Sequence, residues 1–289
     1  MLAGILYQFI NSFAFLVLAA VGLSVIFGVM NVINFAHGAF IMLGAVTTAA
    51  LVNRYGLTFW IAVPIVTVAL GVFGMLIERL VVRRLYERVV DALLATWAIN
   101  LLLTQGVLIL LGPLQKGIQT PFAHFRVGDL SYSTYSVFVA VVAGLVLVFL
   151  YWLFMHTDFG MRARAAVEKR DIAEALGTNT TAVHSVTFGI GAAFAGFTGA
   201  IYAPQMAISP YFGNQFLISA FTVVIVGGAN PLLGTLLSAS ALSLVSGVLN
   251  WFGGSFIGTM GLLVVTMLII RLLPRGFTGL VARLTGRKR

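Results

Sequence analysis

The four histidines, His37, His124, His156 and His184, are too widely separated to form a metal-binding motif, and cysteine is absent. Disulfide, iron–sulfur and thiol chemistry are therefore excluded. The chain has no GxxxxGK[ST] phosphate loop, no HExxH and no GxSxG. Nothing in it marks ATP hydrolysis, zinc catalysis or acyl transfer. The chemistry that remains is hydrogen bonding by polar groups set inside apolar sequence. Asn31, Asn34, His37 and Gly38 interrupt a charge-free region in the pattern Asn31-Val-Ile-Asn34-Phe-Ala-His37-Gly38. A second interruption reads Gly227-Gly228-Ala229-Asn230-Pro231, with Gly234 just beyond. Amides, imidazole and loosened backbone are costly in lipid unless they face protein or a water-filled cavity. They read either as a translocation pathway or as ordinary turns between spans. Asn100 belongs to the same class: with Thr104 and Gln105 it falls at helical spacing, and Asn100 and Thr104 share a face. Interhelical hydrogen bonding competes with a pathway role there.

The other concentration of polarity is Thr157 to His184. It carries Asp158, Arg162, Arg164, Glu168, Lys169, Arg170, Asp171 and Glu174 in a chain that is only 9% charged. Met161 to Leu176 consists mostly of good helix formers, and Gly177 stands where a left-handed C-cap is expected. Thr180 or Thr181 is placed to cap the following span. Ala166, Ile172, Ala173 and Leu176 offer an apolar surface among the charges. Arg164–Glu168 and Arg170–Glu174 have the spacing of helical ion pairs. The segment reads either as a helix that docks on a partner or as a solvated linker.

These residues are positioned by membrane spans. The chain is 60% hydrophobic with mean hydropathy +1.06, and residues 1–53 contain no Asp, Glu, Lys or Arg. That N-terminus lacks the basic start of a signal peptide and reads as a retained span. Crossing about 30 Å of hydrocarbon takes about 20 helical residues. Suitable runs lie near 5–30, 36–52, 58–77, 92–112, 134–155, 185–204, 215–229, 231–250 and 255–273. The fold expected is an all-α integral membrane protein of eight or nine transmembrane helices, some discontinuous. Interrupted segments in both halves, and a loose echo of Ser24-Val-Ile-Phe in Thr222-Val-Val-Ile, point to an inverted repeat with halves near 1–112 and 134–273. Residues 1–289 then form one transmembrane domain carrying the 157–184 loop. Gly191, Ala195 and Gly199, and Ala192, Gly196 and Ala200, make small-residue ridges for helix packing.

Charge sets the orientation. Arg79, Arg83, Arg84 and Arg88 join the long loop and the tail residues Arg271, Arg275, Arg283, Arg287, Lys288 and Arg289 on one side. Only Arg54, Lys116 and Arg126 fall on the other. The positive-inside rule puts the first set, with the C-terminus, in the cytoplasm. A net charge of +9 confined to juxtamembrane clusters is explained by topology and anionic lipid, with no nucleic-acid motif. Glu78 and Asp91 sit at span ends, so no carboxylate lies deep in a span to serve proton or sodium coupling. An external energy source is implied.

Three stretches resemble the permease subunits of ATP-binding-cassette importers for branched-chain amino acids: GLSVIFGVMNVINFAHGAFIMLGA (Gly22–Ala45), HTDFGMRARAAVEKRDIAEALG (His156–Gly177) and VVIVGGANPLLGTLLSA (Val223–Ala239). RLLPRGFTGL (Arg271–Leu280) fits the family's basic tail. The resemblance implies a multi-pass protein of the bacterial inner membrane and a homologous second permease as partner. It also implies two ATPases that bind ATP and Mg, and a periplasmic binding protein, with no cofactor in this chain. Arg162, Arg164, Asp171, Glu174, Ala175, Leu176 and Gly177 would then couple to an ATPase. Leu85-Tyr86-Glu87-Arg88 and Asp91–Trp97 look more like a urea-type branch. Many members carry an acidic residue where this chain has Ala39. Branched-chain amino acids are the leading substrate, and urea or another short amide is the alternative. A stand-alone channel or facilitator is the competing class.

Overall fold

The computed structural model describes residues 2–86, 88–127, 130–228, 230–273 and 276–284. Glu87, Ala229, Arg275, Arg287, Lys288 and Arg289 lie outside them. The described chain is helical with one small hairpin. Its elements are α1 (Leu2–Met30), α2 (His37–Asn53), α3 (Phe59–Leu80), a 3-10 turn (Val82–Leu85) and α4 (Val89–Leu111). Then come β1 (His124–Val127), β2 (Leu130–Ser133), α5 (Thr134–His156), α6 (Asp158–Glu168), α7 (Arg170–Ala175) and α8 (Thr180–Tyr202). The chain closes with α9 (Phe212–Gly227), α10 (Pro231–Leu272) and α11 (Gly276–Leu284).

All nine expected apolar runs fall on helices. Among the described residues seven helical segments have the length and composition to cross a bilayer, whereas α2 and α9 are shorter apolar helices of 17 and 16 residues. At 1.5 Å per residue these two reach about 25 Å, and each adjoins one of the polar interruptions. The expected boundary between 250 and 255 appears inside α10 at Gly254, whose φ of 78° and ψ of 174° break the helix. The hairpin was not expected from the sequence. β1 and β2 pair antiparallel, with Phe125 opposite Tyr132 and Arg126 opposite Ser131.

The chain forms two compact units, each discontinuous in sequence. The larger comprises Val21–Gln119 and Leu150–Ile218. Its centre is α8, packed on α2 and α3. Lipid tails are as apolar as leucine, so helices in a membrane hold together by close fit of small residues. The ridges on α8 supply it. A Cβ added at Gly44 of α2 would meet the Gly196 Cα at 2.8 Å and its carbonyl carbon at 2.9 Å. Phe40 of α2 adds edge-on ring contacts, 6.1 Å between centroids, to Phe73 of α3 and to Phe188 of α8. At one end of the unit, Asn53 donates to the Lys116 carbonyl at 3.0 Å, and the Gln115 N–H donates to the Ile208 carbonyl at 2.9 Å. At the other end lie the start of α8, the 3-10 turn and α7.

The smaller unit comprises Met1–Ala20, Thr120–Phe149 and residues from Ser219 onward. Tyr7 of α1 anchors the hairpin. Its hydroxyl accepts the Ser133 N–H at 3.1 Å, and its ring centroid lies 4.6 Å from that of Tyr132. α9 and α10 meet at Gly227 and Gly234, where an added Cβ on Gly227 would meet Gly234 backbone at 2.7 Å. The Ser238 hydroxyl ties the pair by donating to the Val223 carbonyl at 2.9 Å.

Gly44→Val should force α2 away from α8, at a cost of about 1–3 kcal/mol or more. Gly144→Ala, whose added Cβ has nothing within 4 Å, should not. Thermal unfolding of the purified protein in detergent checks this. Equal midpoints for Gly44→Val and Gly144→Ala would refute the close-packed crossing.

Candidate functional site

The first interruption is a turn with a defined construction. α1 ends at Met30, and Asn31 takes the left-handed conformation with φ 51°, its N–H donating to the Phe27 carbonyl at 2.9 Å. Asn is the non-glycine residue best suited to that cap. Asn34 is completely buried, and its Oδ1 accepts the Ala36 N–H at 3.0 Å while its carbonyl accepts the His37 N–H at 3.4 Å. His37 and Gly38, both buried, open α2. Thr96 of α4 braces the turn: its hydroxyl accepts the Phe35 N–H at 3.1 Å and donates to Leu93. Asn100 and Thr104 follow Thr96 on the same buried face of α4, while Gln105 points outward. Among the described residues, the Asn34 Nδ2 and the Asn100 Oδ1 are buried without a hydrogen-bond partner. The larger unit thus gathers Asn31, Asn34, His37 and Gly38 around Thr96, with Asn100 one turn further along.

The second interruption belongs to the smaller unit and is built the same way. Gly228 has φ 83°, and the Asn230 Oδ1 accepts the N–H groups of Leu232 and Leu233 at 3.1 and 3.0 Å. Pro231 occupies the first turn of α10, where its missing N–H costs nothing.

The long loop departs from the single helix expected over Met161–Leu176. It folds as α6 and α7 with a break at Lys169, whose φ of −152° and ψ of 97° are extended. Thr157 caps α6 by accepting the Gly160 N–H at 3.2 Å. Gly177 takes the expected left-handed conformation with φ 88°. The cap of α8 is Asn179, which accepts the Ala182 N–H at 2.9 Å, and not Thr180 or Thr181. Thr180 instead donates to Glu174. Of the two expected ion pairs, Arg170–Glu174 forms at 3.0 Å. Arg164 turns away from Glu168 and donates to the Phe154 carbonyl at 2.6 Å, tying α6 to the end of α5. Hydrogen bonds from Thr180, then from Arg170, hold the Glu174 carboxyl below the usual range. Arg162, Arg164, Asp171, Glu174, Ala175, Leu176 and Gly177 are all exposed. Large apolar side chains stand exposed among them, with Leu176 at 82% and Ile172 at 52%. Ala166 and Ala173 face inward.

Sequence reasoning missed the cluster beneath this loop. Glu78, in the last turn of α3, is fully buried. Its carboxylate accepts hydrogen bonds from Tyr86 and from Ser185 of α8, and from Arg83 through two nitrogens at 3.3 Å. Burial, followed by the bond to Glu78, raises the Tyr86 hydroxyl well above its usual range. His184 stacks edge-on against Tyr86 at 5.1 Å. The cluster therefore joins α3, the 3-10 turn and the start of α8. The available signal was Glu78 itself, an acid at a span end with arginines close behind it.

A helical protein with seven membrane-length segments among its described residues, two capped interruptions and a charged loop has the architecture of a polytopic membrane protein. The family described as "Branched-chain amino acid transport system / permease component" matches residues 5–273, and the chain belongs to it. It is a transporter subunit of the importer class that its motifs resembled, and not an enzyme. Among its relatives is a probable branched-chain amino acid transport permease protein LivH of Methanocaldococcus jannaschii. That protein is 27% identical over 279 residues, covering 91% of this chain and 88% of the relative. The Escherichia coli permease protein LivH is 26% identical, covering 91% and 90%. Its LivM is 27% identical, covering 90% of this chain and 67% of LivM. No solved structure matches the chain.

Glu78→Leu should destabilise the protein by about 2 kcal/mol, since it strips Arg83, Tyr86 and Ser185 of their shared acceptor. Arg83 is 36% exposed and recovers part of the loss through water. Glu78→Gln, which keeps an acceptor oxygen, should cost less. Thermal midpoints rank the three proteins, and a Glu78→Leu midpoint equal to wild type would refute a structural role for the cluster.

Proposed function

We propose that this chain is the permease subunit of an ATP-binding-cassette importer that carries branched-chain amino acids across the bacterial inner membrane. A homologous second permease completes the pathway, as the match to both LivH and LivM supports. Two ATPases binding ATP and Mg drive the cycle, and a periplasmic binding protein delivers the solute. One observation carries the reading: the α6–α7 segment turns charged and large apolar side chains outward while α7 is held from behind through Glu174 and Thr180. A solvated linker has no reason to expose Ile172 and Leu176. The segment is the element on which an ATPase docks, and the loop with the C-terminus faces the cytoplasm. The positive-inside reading is supported by Arg83, Arg84 and Arg88 gathering with Arg170 at one end of the larger unit.

Asn34, His37, Gly38 and Asn100 are pathway residues in this reading, with Gly227, Gly228 and Asn230 as their counterparts in the second interruption. The unspent Asn34 donor and Asn100 acceptor support it, because buried polar atoms in lipid are otherwise satisfied. Ala39, buried in the first turn of α2, leaves no carboxylate there to meet a substrate ammonium group. That favours urea or another short amide as the second reading.

The test is uptake in proteoliposomes that hold this chain, its partner permease, both ATPases and the binding protein, comparing radiolabelled leucine with urea. Leucine uptake that vanishes without the ATPases is expected. Urea uptake alone would select the second reading, and equal flux from this chain by itself would make it a channel. In the same vesicles Glu174→Arg or Gly177→Trp should leave ATP hydrolysis running while uptake falls at least tenfold, a loss of about 1.4 kcal/mol of coupling. Wild-type uptake in both variants would remove the docking assignment. Asn34→Leu should slow uptake with assembly intact, and an unchanged rate would return the first interruption to a structural turn.

A further inference from the structure

Arg83, Arg84, Arg88 and Arg170 converge on one cavity of about 470 Å³, which Tyr86 and Thr181 complete. Four guanidinium groups around one space repel each other unless anions lie among them. The carboxylates nearby among the described residues do not suffice. Glu78 is buried and shared by Arg83, Tyr86 and Ser185. Glu174 pairs with Arg170, and Asp91 reaches Arg88 only at 3.7 Å, with both side chains largely in the open. Such exposed pairs are worth little and exchange easily. Arg84 has no carboxylate partner among the described residues. Planar guanidinium forks suit phosphate oxygens, and Thr181 adds a hydroxyl.

The surroundings decide what carries the phosphate. Arg83, Arg84 and Arg88 lie between the end of α3 and the start of α4, and Arg170 opens α7. Leu76 and Leu80 on one side, and Val89, Val90 and Leu94 on the other, are large apolar residues turned outward. A basic cavity with apolar helix faces leading away from it fits a headgroup with its acyl chains attached. We propose that this cavity binds the phosphodiester headgroup of an anionic phospholipid, between the α3–α4 turn and the loop that bears α7. This goes beyond the transport reading and holds whichever solute is carried. A lipid bound there bridges Arg84 and Arg88 to Arg170, and so joins the membrane surface to the segment assigned to ATPase docking.

The experiment uses the assembled transporter purified in neutral detergent, delipidated, and then offered phosphatidylglycerol, phosphatidylethanolamine or inorganic phosphate. Retained lipid is measured by native mass spectrometry, with the thermal midpoint as a second readout. Wild type should retain phosphatidylglycerol over phosphatidylethanolamine, and the preference should weaken as salt is raised. Arg84→Gln/Arg88→Gln should lose it by about fivefold per arginine removed. Arg54→Gln, at the opposite end of the same unit, should keep it. If the double variant does not assemble, Arg84→Gln alone and the salt series on wild type carry the test. An undiminished preference in the variants, or no preference in wild type, overturns the proposal. Inorganic phosphate protecting wild type as well as phosphatidylglycerol does overturns lipid as the source and assigns a soluble ion. Variants that shed the ATPases while keeping the lipid overturn it too, and assign the arginines to a protein partner.

Discussion

The close crossing of α8 on α2 and α3 is the contact on which the larger unit depends. In water a crossing of this kind would be driven by apolar burial, but in a bilayer the lipid is an equally good solvent for leucine. What remains is dispersion between surfaces that fit, and Gly44 against Gly196 brings two backbones to the limit of approach. α8 is therefore a rod gripped along its length. Its first turn receives Glu174 through Thr180, its second turn receives Glu78 through Ser185, and its middle holds the helix that starts at the first interruption. α7 is thereby tied to a helix that already packs on α2.

Two ion pairs at the same end of α8 differ in kind. Arg170–Glu174 is exposed, and its energy in water is small. Its value is positional, since the Glu174 carboxylate, kept below its usual range by Thr180 and then Arg170, stays charged throughout the neutral range. The depressed value means that this contact is present above the ordinary carboxyl range and is lost as pH falls through the lowered one. Glu78 is the opposite case. A fully buried carboxylate costs several kcal/mol, and that cost is met only while Arg83, Tyr86 and Ser185 all point at it. Such a group fixes the register of α3 against α8, because a shift by one residue would leave a charge in lipid without partners.

The helices were legible because hydropathy over about 20 residues is an unambiguous signal, and Gly254 fell within the boundary read between 250 and 255. The small-residue ridges of α8 were legible too, since spacing alone puts Gly191, Ala195 and Gly199 on one face. Four features were not. Lys169 breaks the loop helix although nothing in its residue type forbids a helix. Asn179 takes the cap that two threonines next to it could have taken. The pairing of β1 with β2 is anchored by Tyr7, more than 110 positions earlier, a contact that no local pattern encodes. The Glu78 cluster failed for the same reason: its three donors come from two separate stretches of chain.

The two interruptions share a construction that their sequences barely show. In each, the incoming helix ends in a left-handed residue, Asn31 in one and Gly228 in the other. In each, an asparagine follows within three positions and spends its Oδ1 on backbone N–H groups just ahead, Asn34 on Ala36 and Asn230 on Leu232 and Leu233. A chain that reverses inside a membrane has few other solutions, because every N–H freed by the reversal must find an acceptor without water. Common physics could therefore produce both turns independently, and a repeat would produce them by descent. The loose echo of Ser24-Val-Ile-Phe in Thr222-Val-Val-Ile lies one to two turns before the left-handed residue in each case. Ser24 stands seven positions before Asn31 and Thr222 six before Gly228, so the echo is offset by one, and the likeness rests on the residues of the turn that hydrogen bonding itself constrains.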